Sequence, residues 1–243
     1  ADWGRDFLRQ TALPLSSPTP QQMGFPQPPL TLEPDPSLPH VDLPAPSSVD
    51  VPPLDLREAI ERRRTVRAYS SHPITQAALS YLQWATHGIR EITARPATRR
   101  NVPSAGARHA FETFVLVNRV EGLAPGLYRY AARAHALAAA PGVPTAADLA
   151  AACLDQDQIT ASAVSFFWVA IAERMTWRYG NRGYRYLFLD AGHVCQNLYL
   201  AAESLNCGVC AIGAFEDARL NALLGLDGVE QFVIYAATLG RKG

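Results

Sequence analysis

The sequence predicts an α+β fold around one sheet, and three observations carry that prediction. Apolar segments of strand length alternate with segments of helical period. At least one neighbouring pair is joined by a turn too short for a crossover: "AFETFVLV" (110–117) and "GLYRYA" (126–131) flank "EGLAPG". A proline-dense start, residues 1–53, precedes a remainder with ordinary globular patterning. Hairpins mixed with helical crossovers argue against a doubly wound parallel sheet.

Taken in order, the first 53 residues hold thirteen of the 19 prolines. Each proline fixes φ and removes a backbone donor, so the segment is expected to be neither helix nor central strand. It reads as an extended arm on the domain or as a disordered leader. Leu30, Leu32, Leu38, Val41 and Leu43 give it side chains to dock, which favours a partly ordered arm. The globular domain then spans 54–243. "DLREAIERR" begins a helix with Asp55 as N-cap, Glu58 at capping-box spacing, and Leu56 and Ile60 four apart. "TQAALSYLQWATHG" is a second helix, capped by Thr75 and ended by Gly88. After the hairpin, "TAADLAAACL" is a short helix and "AVSFFWVAIA" (163–172) a strongly apolar strand. "YRYLFLDAGHVCQNLYLAAESLN" is a long helix, apolar around much of its circumference, and is expected to be central and buried. "GVCAIGAF" is a strand running into a turn, "DARLNALLG" a helix and "EQFVIYAATLG" the last strand.

Composition narrows the function classes. Twenty-two basic and 22 acidic residues cancel, so no bulk field draws the chain to nucleic acid or anionic lipid. No apolar run reaches the ~18 residues of a membrane span. No apolar h-region follows the first arginines, which leaves a cytoplasmic location as the expectation. Four cysteines are too few and too unevenly placed for a disulfide scaffold. The six histidines have no metal-ligand spacing, and no G-x-G-x-x-G, phosphate-loop or nucleophile-elbow signature is present. Cys207 and Cys210 form a Cys-x-x-Cys on an apolar strand, where alternating faces keep both sulfurs from facing solvent together. Buried packing is the reading they favour, ahead of a redox dithiol or half a metal site.

The stretch that departs from this blandness is "ERRRTVRAYS", with four arginines in six residues around a threonine. It fits a solvated charge run at a helix C-terminus. It fits equally an anion cradle, since guanidiniums bind phosphate bidentately and a hydroxyl adds a donor. A second basic pair, Arg241 and Lys242, follows the last strand.

"RRRTVRAYS" resembles the arginine-rich opening of the FMN-dependent nitroreductase superfamily. "VPSAGARHAFETFVLVNRVEGLAPGLYRY", "WRYGNRGYRYLFLDAGHVCQNLYLAAESLNCGVCAIGAF" and "TLGRKG" look like its SagB-type dehydrogenase branch, in collinear order over about 54–243. The resemblance implies a nitroreductase-like fold: a central, mostly antiparallel sheet flanked by helices, in an intertwined homodimer with FMN at the interface. It implies chemistry too. The branch oxidises thiazolines and oxazolines in peptides, whereas other members reduce nitro groups or quinones with NAD(P)H. Small-molecule or peptide-derived substrates are therefore expected.

Residue roles follow from the same resemblance. Arg63, Arg64 and Thr65 match positions that hold the FMN phosphate and ribityl chain, and Arg67 the cation beside flavin N1 and O2. Pro103, Ser104, Ala105 and Gly106 match the loop that reaches the partner's flavin. Ile212, Gly213 and Ala214 match the segment along the isoalloxazine, and Arg241 with Lys242 a second phosphate clamp. Where the azoline dehydrogenases carry a Lys-Tyr pair as base, this chain has Arg178 and Tyr179. An arginine cannot give up its proton near neutral pH, so Tyr179 is the candidate base, with Arg178 as its neighbouring cation. Ordinary helix-end residues remain the other reading of the pair. Three functions are open at this point: an azoline-type dehydrogenase, an NAD(P)H-dependent nitro- or quinone reductase, and a non-catalytic partner in a biosynthetic complex.

Overall fold

The computed structural model describes residues 2–140 and 144–243. Its helices are α1 (Trp3–Gln10), α2 (Leu56–Arg62), α3 (Gln76–His87), α4 (Ala146–Ala152), α5 (Gln158–Ala161), α6 (Ala172–Tyr179), α7 (Gly183–Ser204) and α8 (Asp217–Leu223). Its strands are β1 (His40–Asp42), β2 (Ile89–Ile92), β3 (Thr98–Arg100), β4 (Phe111–Val117), β5 (Gly126–Ala131), β6 (Ala136–Ala139), β7 (Val164–Ile171), β8 (Cys207–Ile212) and β9 (Gln231–Arg241). Seven strands form one sheet in the order β1-β6-β5-β4-β7-β9-β8, while β2 and β3 pair separately. Every pairing between these strands is antiparallel.

Side-chain alternation along the middle strands divides the core in two. Val164, Phe166, Trp168 and Ala170 of β7 join one layer with α3 and α7. Phe167, Val169 and Ile171 face the other, with α4, α5 and α8. With both faces covered, β7 reads as an unbroken apolar run.

The expected helix caps are in place. Asp55 accepts from the amides of Arg57 and Glu58, and Thr75 from that of Ala78. The reciprocal capping box forms at Thr145 and Asp148 instead. Seven elements were not foreseen: α1, β1, β2, β3, α5, β6 and α6. α1 occupies a stretch ahead of the first proline, Pro14. β1 lies among the prolines but at the sheet edge, where an unpaired N–H side is tolerated. The "ALAA" of β6 has helical propensity, yet pairing with β5 and β1 overrides it. α6 links β7 to α7 and ends at Gly180, whose φ of 51° favours glycine.

Two expectations of burial need correction. α7 is buried on one face only: Leu187, Asp190, Ala191, Val194 and Leu198 point inward, whereas Phe188 and Leu189 are each 59% exposed. Leu56 and Ile60 of α2 also face outward. Residues 8–33 run over α6 and the start of α7. Arg182 and Arg185 donate to Thr11, the Trp177 indole donates to the Phe25 carbonyl, and Arg174 donates to the Pro29 carbonyl. Leu43 is buried in the α3–α7 layer.

Candidate functional site

The arginine run begins where α2 ends. Arg62 is still helical and pairs with Glu58 one turn back. From Arg63 the chain leaves the helix and crosses the ends of β8 and β9. Thr65 bridges Val209, and the Val66 amide donates to the Val209 carbonyl at 2.9 Å. Glycines permit the crossing: a Cβ on Gly208 would strike Val66, and one on Gly240 would strike Tyr69 at 2.8 Å. Further along, Tyr69 donates to the Val66 carbonyl, and the Ser70 amide to that of Arg241. The crossing thus brings the run and the chain's basic end to the same side of the sheet.

Tyr199 of α7 sits beneath the run. Its hydroxyl accepts from the Ala211 amide at 3.0 Å and lies 3.3 Å from Thr65 Oγ1, while the Arg63 guanidinium stands 5.3 Å over its ring. Among the described residues, Arg63, Arg64 and Arg67 have no carboxylate partner. Lys242, by contrast, pairs with the buried Glu203 at 2.6 Å. Arg241 Nε donates to the Pro73 carbonyl at 2.9 Å, beside a 350 Å³ hollow shared with Ser70, His72 and Asn206.

The loop at 103–106 lies elsewhere on α7. The Ala105 amide donates to Asp190 Oδ1 at 3.3 Å, and Ser104 Oγ accepts from the His109 amide at 2.9 Å. Gly106 has φ 57°, and a Cβ there would strike the Tyr179 hydroxyl and come within 2.8 Å of Arg178 Nε. Only glycine lets the backbone approach so closely. Arg178 stands 5.7 Å over the Tyr179 ring, which packs edge-on against Tyr186 at 4.8 Å. Asp190 is 4% exposed, and its Oδ2 has no partner among the described residues. Burial pushes its carboxyl up, against the downward pull of Ser104 and the Ala105 amide.

Cys207 and Cys210 are buried on β8 with Ile212. Burial pushes the Cys207 thiol up to about 11 and raises that of Cys210, which Arg67 partly offsets. Such thiols are poor nucleophiles. Gly213 and Ala214, just beyond the strand, are exposed. Among the described residues no group of three His, Cys, Asp or Glu could hold a metal ion. Among the described residues no helix is long and apolar enough to cross a membrane.

The model of the nitroreductase family matches residues 60–241, three quarters of the chain, and so spans both clusters. The chain belongs to the nitroreductase family. It is 33% identical over 193 residues to a nitroreductase-assigned protein of Methanocaldococcus jannaschii, covering 79% of this chain and 94% of that one. To the trifolitoxin-processing protein TfxB of Rhizobium leguminosarum bv. trifolii it is 29% identical over 154 residues, 61% of this chain and 41% of TfxB. A solved structure assigned as a nitroreductase from Anabaena variabilis superposes with TM-score 0.69 at 32% identity, covering 86% of this chain and 42% of that one. A Desulfovibrio desulfuricans structure in complex with FMN shares the fold, with TM-score 0.56 at 19% identity over 79% of this chain and 88% of that one.

For a chain of this family the geometry separates the two clusters. Arg63 and Thr65 meet α7 at Tyr199, whereas Ala105 meets it at Asp190, nine residues or roughly 13 Å away along the helix axis. Sequence reasoning missed Tyr199, Asp190 and Arg108. The first two were legible only as polar groups within an apolar helix, and Arg108 only as one more arginine. By Tyr199 the unpaired Arg63 guanidinium and the Thr65 hydroxyl are donors of the kind a phosphate accepts from.

Proposed function

We propose that this chain is an FMN-dependent oxidoreductase acting as a homodimer, with residues 54–243 as the flavin domain and 1–53 as an arm. The observation that carries this reading is the placement of two half-sites on one helix. Arg63 and Thr65 sit by Tyr199, the 103–106 loop sits by Asp190, and Phe188 and Leu189 lie bare on the face of α7. A second α7 packed antiparallel on that face would bring one chain's arginines towards its partner's loop and cover the apolar side chains.

In this reading Arg63, Arg64 and Thr65 hold the FMN phosphate and ribityl chain, Arg241 supports them, and Lys242 acts through its pairing with Glu203. Arg67 faces the pyrimidine edge, where a cation favours negative charge. Pro103, Ser104, Ala105 and Gly106 approach from the partner, and Ile212, Gly213 and Ala214 line the ring. When bound, FMN supplies hydride transfer at N5. The chain's own contribution is to orient the substrate and move its proton. Tyr179 is the proton acceptor, with the Arg178 guanidinium over its ring.

The likeness to TfxB supports a peptide-derived substrate, as in the SagB-type dehydrogenases. The 33% identity to the Methanocaldococcus protein supports a second reading, an NAD(P)H-dependent nitro- or quinone reductase. The cytoplasm suits either.

Purification tests the core of the proposal. The protein is expected to be yellow, to release FMN on denaturation, and to show twice the chain mass by light scattering while flavin is bound. FAD as the main flavin, or a flavin-bearing monomer, overturns it. NAD(P)H oxidation with a nitroarene, set against oxidation of an azoline peptide, separates the two readings.

A further inference from the structure

Arg100 and Arg108 are each 5% exposed, and neither has a carboxylate within ion-pair distance among the described residues. Arg100 donates to Thr98 Oγ1 and to the His87 and Leu30 carbonyls, whereas only one nitrogen of Arg108 has a protein acceptor. Its Nε donates to the Gly106 carbonyl at 3.1 Å, and its guanidinium lies 5.4 Å from the centre of the Trp177 ring. The two terminal nitrogens take no protein partner among the described residues, and neither is sealed from solvent. Arg178 is at the same place, because the position a Gly106 Cβ would occupy is 2.8 Å from its Nε. Its guanidinium has only the Tyr179 ring beneath it. The groups that act electrostatically on Arg108 are Arg178, Arg95 and Tyr179, and burial with the two cations lowers its pKa.

A buried charge in a folded protein is ordinarily paired, because its desolvation is otherwise uncompensated. Here a second cation, Arg178, stands at the same turn as the unpaired one, so the arrangement lacks an anion. A guanidinium fork between an indole face and a backbone carbonyl presents planar, paired donors, which match a carboxylate. In the proposed reading the cofactor phosphate is held by the arginine run, where Arg63 meets Tyr199, at the other of α7's two contacts. We infer that Arg108 and Arg178 form a receptor for a carboxylate on the substrate, holding it against the 105–106 turn beside Tyr179. The inference rests on the reading of Tyr179 and the 103–106 loop as the reaction site. It narrows the substrate to an acid, such as a peptide with a free C-terminus or acidic side chain. It also gives Arg178 a role that does not require losing its proton.

Benzoate and benzamide differ in charge and little in shape, and calorimetric titration of both the flavin-loaded and flavin-free protein tests the receptor. Benzoate is expected to bind at least about tenfold more tightly than benzamide, with the preference shrinking as salt rises. Arg108→Gln is expected to remove the preference while benzamide binding and FMN content stay unchanged, and Arg108→Lys to restore part of it. Equal binding of the two probes, or no benzoate binding, overturns the inference. So does an Arg108→Gln variant that loses FMN but keeps the preference, which would assign these cations to the flavin phosphate. Should circular dichroism show Arg108→Gln misfolded, Arg178→Gln at the partly exposed position carries the same expectations. A protein that binds no FMN defeats the oxidoreductase reading, yet the flavin-free titration still decides the receptor. A flavin-bound protein without the preference defeats the receptor alone.

Discussion

Two groups of arginines in this molecule differ in almost everything but their side chains. Arg62, Arg63, Arg64 and Arg67 are adjacent in sequence and lie at the surface or half-buried. Arg129 and Arg174 are 45 residues apart and nearly sealed, with side chains 12% and 3% exposed, and both meet the single carboxylate of Glu112. Glu112 Oε1 accepts from Arg174 at 2.7 Å and from the Leu32 amide at 2.9 Å, and Oε2 from Arg129 at 3.3 Å. The same arginines donate onward to the carbonyls of Pro29, Leu32 and Glu33. In the first group Arg62 pairs with Glu58 and the other three keep their donors free. The second group shares one carboxylate in a network that ties the arm to β4, β5 and α6, although Arg174 Nη1 has no partner among the described residues. A cation held for a ligand must keep donors free, whereas a cation held for structure need not.

The largest expected effect breaks this network. Glu112→Ala leaves two arginines with little access to water and no counter-charge, and removes the acceptor of the Leu32 amide. A loss of about 3–5 kcal/mol is expected in urea denaturation. Faster tryptic cleavage within residues 1–33 should accompany it, because the same carboxylate holds the arm. A loss below about 1 kcal/mol would show that the network adds little.

Acid should strain the same region. Burial, then Arg100 and Arg108, pull His109 down to about 3, and burial followed by Arg100 holds His87 well below its ordinary value. Both are neutral in the folded chain at pH 5, where the unfolded chain, with values near 6.5, binds protons. The unfolded state binds more protons between about 6.5 and 3, so stability rises with pH and is lost as pH falls through that window. From pH 7 to 5 His109 alone should cost about 2 kcal/mol, with His87 adding in the same direction. Thermal melts across this range should show the slope, and His109→Gln should flatten it. A melting temperature independent of pH would mean that the unfolded state does not gain these protons.

What was legible in the sequence follows the same division. α3, β5, β7 and β9 were readable because their signals are local: a threonine cap, a glycine stop, an apolar run. The arginine run was readable for the same reason. β6 was not, because alanines become strand there only by pairing with β5 and β1. Glu112, Arg129 and Arg174 were not, because each is a single charge on a different element until the fold brings them together. Tyr199 and Asp190 were hidden within α7, whose apolar composition announced burial but neither its bare face nor its two polar contacts.

At the open cluster the expected effect moves from stability to binding. Arg63 and Arg64 have no ion pair to lose, so their alanine variants should unfold within about 0.5 kcal/mol of the parent. FMN retention is where they should fail. Losing one charge-assisted contact to a phosphate should raise the dissociation constant about tenfold, or about 1.4 kcal/mol. Equilibrium dialysis measures it, and unchanged retention in both variants would return the run to an ordinary helix-end charge cluster.

Arg62→Ala is the smallest expected effect and the sharpest test within the run. Arg62 differs from Arg63 by one position and carries the same charge, yet it is the last residue of α2 and its guanidinium pairs with Glu58. The partner side chains are 60% and 43% exposed, so the ion pair is screened and its loss should cost no more than about 0.5 kcal/mol. If free donors are what hold the phosphate, Arg62→Ala should leave FMN retention at the parent value while Arg63→Ala and Arg64→Ala lower it. If the run acts instead as a diffuse positive field, all three variants should weaken FMN alike, with the difference vanishing at high salt. The paired substitution Glu58→Gln sets these apart from the other side. It frees Arg62 without removing a cation, and unchanged retention is expected if the position beyond the helix end decides which arginine reaches the ligand.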